Sequence, residues 1–120
     1  MKALLLVAHG SRRTVSNIEI AVVATSLRKQ VGDDFSLTRH AFLEIAQPSI
    51  PDAIDELIAD GADDITVLCY FLSAGRHVRE DVPAFVEDKR KQYPEVKLSL
   101  APYLGQAPDL IGVLHRLAKI

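Results

Sequence analysis

The sequence predicts an α/β fold, a small four-stranded parallel sheet with helices on both faces. Segments typical of strands and of helices alternate four times along the 120 residues. The connections are short and the strand segments are largely apolar, as in a parallel sheet covered on both sides. Two histidines, His9 and His77, lie in glycine-containing loops that follow two of these strands. Because ligands bind beyond the carboxyl ends of such strands, the histidines indicate a functional site.

The strands and helices follow from apolar patterning and from residues that start or stop a helix. Strands are predicted over residues 2–8, 35–42, 64–71 and 96–101. Helices are predicted over residues 14–31 and 49–60, then in a segment that ends before residue 94 and in one that opens at residue 108. The first helix has an apolar face made of Val15, Ile18 and Val22. Ser16 and Glu19 have the spacing of a capping box in the first helix. Pro51 is predicted in the first turn of the second helix and Gly61 just after its end, and Asp81 is the predicted cap of the third helix.

Composition narrows the functional classes. The chain is 48% hydrophobic with a formal net charge of -2, which fits one packed domain over residues 1–120 and gives no sign of nucleic-acid binding. The apolar run at residues 3–8 is too short to cross a membrane or to form a secretory signal. We therefore expect a cytoplasmic protein without a membrane partner. The single cysteine, Cys69, is expected to be a buried hydrophobe.

The first candidate site is the string His9-Gly10-Ser11-Arg12-Arg13 after the first strand. A histidine near neutral pH acts as a base or binds a metal, and glycine allows the backbone to approach a ligand closely. The arginines add positive charge suited to carboxylates or phosphates. A solvent-exposed turn with an incidental histidine is the alternative interpretation, which the whole string disfavours.

The second and third candidates follow the other strands. In residues 72–77, small residues surround Gly75 and His77 stands at the entrance of the third helix. A plain connection is the alternative, because its length is ordinary. Glu44 is a single acid among apolar residues at the same sheet edge, and it is interpreted either as a proton acceptor or as an exposed loop acid. His40, inside the second strand, and His115, in the last helix, are interpreted as structural and surface residues.

Three strings together resemble the short sirohydrochlorin chelatase family, CbiX. They are VAHGSR at residues 7–12, FLE followed by PSI within residues 42–50, and FL, G, HV and DVP within residues 71–83. The resemblance extends from the first strand to the last helix. It implies a chelatase-like, flavodoxin-like half-domain and a class II chelatase that works without ATP.

The resemblance also implies an activity and a set of roles. Such enzymes insert a divalent metal into sirohydrochlorin, with cobalt the first expectation and nickel or iron the alternatives, and with no tightly bound cofactor. His9 and His77 match the family's metal-handling histidines, and His9 also its proton acceptor. The matches to substrate-contacting residues are Glu44, Leu72, Ser73, Ala74, Gly75, Arg76 and His77. With one predicted domain, a homodimer around the substrate is implied.

Two other functions remain open at this point. A non-catalytic metal or tetrapyrrole carrier would use the same histidines, and the sequence separates it poorly from a chelatase. A phosphoryl-transfer enzyme of the histidine phosphatase kind also has a His-Gly pair after its first strand. Ala8 occupies the place of its phosphate-clamping arginine, which disfavours that function.

Overall fold

Four parallel strands form one sheet in the part of the chain that the computed structural model describes, residues 1–73 and 75–120 without the side chains of residues 77 and 78. The strands are β1 (Lys2–Ala8), β2 (Leu37–Phe42), β3 (Asp64–Cys69) and β4 (Lys97–Leu100). Their order in the sheet is β2-β1-β3-β4. The predicted fold class is confirmed, and β1 lies at the centre, where its apolar run is buried.

The helices are α1 (Thr14–Val31), α2 (Ile50–Ala59), α3 (Val82–Gln92) and α4 (Leu110–Leu117). Side chains alternate between the two faces of a strand. Leu5 and Val67 share the main core with α2 and α3, whereas Leu6 faces the other side, towards Val23 and Leu27 of α1. Helices therefore lie on both faces. None of the helices in the described residues has the length and hydropathy needed to cross a bilayer.

The ends of the elements differ from prediction in a few places. Ser49, predicted as the first residue of the second helix, instead caps α2, because its Oγ accepts a hydrogen bond from the Asp52 amide at 3.2 Å. The capping box predicted for Ser16 and Glu19 is wrong, since α1 already begins at Thr14 without a capping side chain. Asp81 precedes α3 but makes no capping hydrogen bond, because a π-helical turn (His77–Asp81) runs directly into the helix.

The apolar face of α1 is the larger surprise. Val15, Ile18 and Val22 do share one face, but they are 62%, 55% and 59% exposed. The helix instead buries Ala24 against the sheet. The periodic apolar residues correctly predicted a helix here. Which side of that helix is buried is decided by its packing against β2.

A buried lysine joins α2 to α3. The ammonium of Lys89 donates to Asp55 Oδ1 at 2.7 Å and to Gln92 Oε1 at 2.9 Å. The hydroxyl of Tyr93 donates to the same Asp55 oxygen at 3.0 Å. This hydrogen bond raises the pKa of Tyr93, because the neighbouring carboxylate disfavours the phenolate.

Asp55→Ala is expected to lower the free energy of unfolding by about 1–3 kcal/mol, because it leaves the buried Lys89 ammonium without its carboxylate. Urea denaturation measures this loss, and a phenolate titration should show the Tyr93 pKa falling towards its ordinary value. Glu56→Ala, an exposed change on the same helix, serves as the control. Equal stability of the two variants would contradict a stabilising role for this cluster.

Candidate active site

His9 and Glu44 form a pair beyond the carboxyl ends of β1 and β2. The pairing of Ala8 with Phe42 continues past the strands, since the amides of Leu43 and Glu44 donate to the carbonyls of Ala8 and His9 at 2.9 and 3.1 Å. This extension brings His9 Nε2 to 3.0 Å from Glu44 Oε1. Both side chains are about half exposed, at 49% and 48%. A reacting group can therefore reach an imidazole that a carboxylate orients.

Gly10 makes the close approach of these two loops possible. Its φ of +99° lies in the region that glycine favours. A Cβ at this position would lie 1.9 Å from the carbonyl oxygen of Glu44. Gly10, predicted to let the backbone approach a ligand closely, instead approaches the backbone of Glu44. This contact positions the Glu44 side chain.

The loop after His9 is tied to α1 by Asn17. The Asn17 side chain accepts from the Ser11 amide at 3.0 Å and donates to the Ser11 carbonyl at 2.8 Å. Ser11 Oγ in turn accepts from the Arg13 amide at 3.0 Å. Sequence reasoning missed Asn17, although its distance of six residues from Ser11 at a helix start is compatible with such a clamp. Ser11 thus closes a local turn before α1.

Two exposed apolar side chains lie in the loops that follow β2 and β3. Ile45 is 60% exposed and Leu72 is 69% exposed. Ile45 has a φ of 73°, and the Ala46 amide donates to the Glu44 carbonyl at 2.8 Å, which together describe a strained γ-turn. A β-branched residue with positive φ is rare and concentrates at functional sites. Sequence reasoning missed Ile45, because a single apolar loop residue gives no signal of its own.

The loop after β3 contributes to the same edge. The Phe71 ring meets the His9 ring edge to face, with 6.4 Å between centroids. Ser73, Gly75 and Arg76 are exposed, and Arg76 Nε donates to Glu80 at 3.0 Å. Ala74 and the His77 side chain, predicted to contact substrate and metal, lie outside the described residues. Among the side chains that are described, no three His, Cys, Asp or Glu residues group into a metal site.

The other candidate residues lie away from this pair. Cys69 is buried, and burial raises the pKa of its thiol to about 11, which agrees with a packing role. His40 packs edge-on to Phe42 with 5.5 Å between ring centroids, and burial lowers its pKa. His115 is exposed on α4, as expected.

Comparison with known proteins assigns the family. The CbiX family model matches residues 3–119. The chain belongs to the CbiX family. The resemblance carried by the three sequence strings is thereby confirmed across almost the whole chain.

Individual relatives of this CbiX chain differ in length. A sirohydrochlorin ferrochelatase from chloroplasts of Arabidopsis thaliana is 30% identical over 93% of this chain and 49% of its own length. A sirohydrochlorin cobaltochelatase from Sulfurisphaera tokodaii is 33% identical over 100% of this chain and 88% of its own. The structure of the sirohydrochlorin chelatase SirB from Bacillus subtilis subspecies spizizenii with cobalt superposes with a TM-score of 0.83, at 26% identity, over 99% of this chain and 50% of SirB. The chain thus spans about half the length of two of these proteins.

Proposed function

We propose that this chain is an ATP-independent sirohydrochlorin chelatase, which inserts a divalent metal in the synthesis of cobalamin- or sirohaem-type tetrapyrroles. The observation that carries the proposal is the His9–Glu44 pair, 3.0 Å apart on an open sheet edge. The names of the relatives support the substrate class, and cobalt is the metal we expect first, with nickel and iron as further substrates. No tightly bound cofactor is required.

In this proposal, His9 has two roles. Metal insertion replaces two pyrrole N–H protons of the macrocycle, so a base near the ring centre speeds the reaction. Neutral imidazole has one lone pair, so His9 first binds Co²⁺, Ni²⁺ or Fe²⁺ and then accepts a proton once the metal has passed to the macrocycle. Glu44, in contact with Nε2, orients the ring and stabilises the imidazolium that forms.

His77 is proposed as the second metal-handling histidine. It follows the strand next to β1, so its position in the chain brings it to the same edge as His9. Two imidazoles leave coordination positions open for water and then for the macrocycle nitrogens. This incomplete set suits a chelatase, because the metal must leave the protein.

The surroundings suit a large ring with acidic substituents. The exposed side chains of Ile45 and Leu72 offer apolar contact to the macrocycle face. We assign Ser73, Ala74, Gly75 and Arg76 to the loop that contacts its edge. We propose that four exposed arginines pair with its carboxylates, namely Arg12, Arg13, Arg76 and Arg79.

Assembly and location complete the proposal. We propose a single domain over residues 1–120, acting in the cytoplasm as a homodimer that holds one macrocycle between two site edges. Coverage of half of SirB supports this assembly, because a second copy would supply the other half.

The test is anaerobic absorption spectroscopy of sirohydrochlorin with Co²⁺, Ni²⁺ or Fe²⁺, each with and without the protein. We expect the protein to accelerate the spectral change of metal insertion, most with Co²⁺. Binding of sirohydrochlorin without acceleration for any metal would replace the proposal by a tetrapyrrole carrier.

Glu44→Gln is expected to lower the rate of insertion at saturating metal by about 10-fold or more, because the amide cannot stabilise the imidazolium by charge. Stopped-flow absorbance measures the rate. Glu56→Gln, at an exposed acid on α2, is the control. A wild-type rate for Glu44→Gln would remove Glu44 from the mechanism.

A further inference from the structure

The sheet face covered by α1 has an open apolar groove. Its cavity of about 490 Å³ lies between α1 and the segment at residues 102–108. The floor includes Leu6 and Leu68 of the sheet, and one wall includes Val23 and Leu27 of α1. A parallel sheet is normally covered by helices on both faces. This apolar groove lies where a further helix would be expected to pack.

The helix that could fill such a groove projects from the same chain. In α4, Ile111, Leu114 and Leu117 form one stripe and are 71%, 54% and 62% exposed. This spacing is that of a helix packed against a core. An eight-residue helix is not stable alone in water, so α4 needs a surface that covers this stripe.

The start of α4 directs it away from its own groove. The amides of Leu110 and Val113 donate to the carbonyls of Ala107 and Asp109, each at 3.1 Å, so the helix begins directly after the groove's rim. The domain measures 48 Å along its longest axis against 32 and 27 Å along the others. The groove's lining ends at Pro108 and includes no residue of α4, so the helix extends from the rim and does not lie in the groove.

We propose that α4 of each copy occupies the apolar groove of a second copy. The exchange is reciprocal. In a dimer with one two-fold axis, each helix lies in the groove of the other copy, so both grooves are filled and the assembly is closed. It rests on the dimer of the proposed function and on nothing in the metal chemistry.

The exchange would connect the dimer to the active site. The Gly105 amide, in the segment that leads to α4, donates to the Phe71 carbonyl at 2.9 Å. A Cβ on Gly105 would lie 1.9 Å from the Leu72 carbonyl oxygen. The segment that holds α4 in place thus also contacts the loop proposed to bind the macrocycle.

Cross-linking tests the exchange. Two differently tagged chains, both carrying Cys69→Ala, are co-expressed, one with Leu27→Cys in the groove and one with Leu114→Cys on α4. We expect oxidation to give a covalent dimer of the two tags. Val23→Cys in place of Leu27→Cys repeats the test at a second position, one helical turn away on the same wall of the groove. The control uses Arg116→Cys, on the opposite side of α4, which should give at least 10-fold less product.

A chain that carries both Leu27→Cys and Leu114→Cys distinguishes the occupants. A cross-linked dimer supports exchange, whereas a cross-linked monomer shows that α4 covers its own groove and overturns the proposal. A dimeric mass by light scattering without cross-linking at either groove position overturns the exchange but leaves the dimer intact. A monomeric mass overturns both, while the spectroscopic assay of the same protein still decides the chelatase activity.

Discussion

His9→Ala is expected to lower kcat/KM for insertion of Co²⁺ into sirohydrochlorin by about 100-fold or more. A general base contributes about 10²–10⁴-fold, and this imidazole is also the proposed metal ligand. The loss should be greatest at limiting metal, where both roles affect the rate. Initial rates of the absorption change, measured anaerobically over a series of Co²⁺ concentrations, give this value.

Glu56→Ala is the control, because it removes an exposed side chain from α2, which lies outside the proposed site and does not line the apolar groove. It should keep the wild-type rate. Circular dichroism should be unchanged for His9→Ala, since its half-exposed ring lies outside the core. Full activity of His9→Ala at limiting metal would show that another group moves the protons and handles the metal.

Gly10→Ala is expected to destabilise the protein by about 2–4 kcal/mol and to reduce metal insertion sharply. The positive φ alone costs an alanine about 1–2 kcal/mol. Its Cβ would also lie 1.9 Å from the Glu44 carbonyl oxygen, so the two loops must separate. That separation breaks the contact between His9 and Glu44. Urea denaturation and the insertion assay measure the two effects.

Gly61→Ala separates the two causes. Gly61 has a φ of +104°, close to that of Gly10, but a Cβ there would meet only the flexible end of Met1, at 2.8 Å. This variant should therefore show the cost of positive φ with unchanged insertion. If both variants lose the same stability and keep the same activity, the close approach at Gly10 has no part in building the site.

The sequence predicted the fold because its signals are local and mutually consistent. The apolar run of β1, the proline at position 51 in the first turn of α2 and the stop at Gly61 each act within a few residues, and each is present. The position of the site followed from the same order of elements, because residues after parallel strands converge at one edge. His9 and Glu44 are found together there.

Other features depended on contacts between distant residues. Ile45 has no pattern around it, and its γ-turn directly follows Glu44, whose carbonyl lies against Gly10 from another strand's loop. The clamp by Asn17 required the exact direction in which α1 leaves its loop.

The apolar stripe that begins at Val15 predicted a helix correctly but not its buried side. A helical period reports that one face is apolar, whereas what covers that face is decided by packing. The stripes of α1 and α4 are both exposed within one copy of the chain. The sequence by itself determined the elements, their order and the edge that holds the chemistry. Only the tertiary structure decided which apolar faces remain uncovered, because burial depends on surfaces brought together from distant parts of the chain.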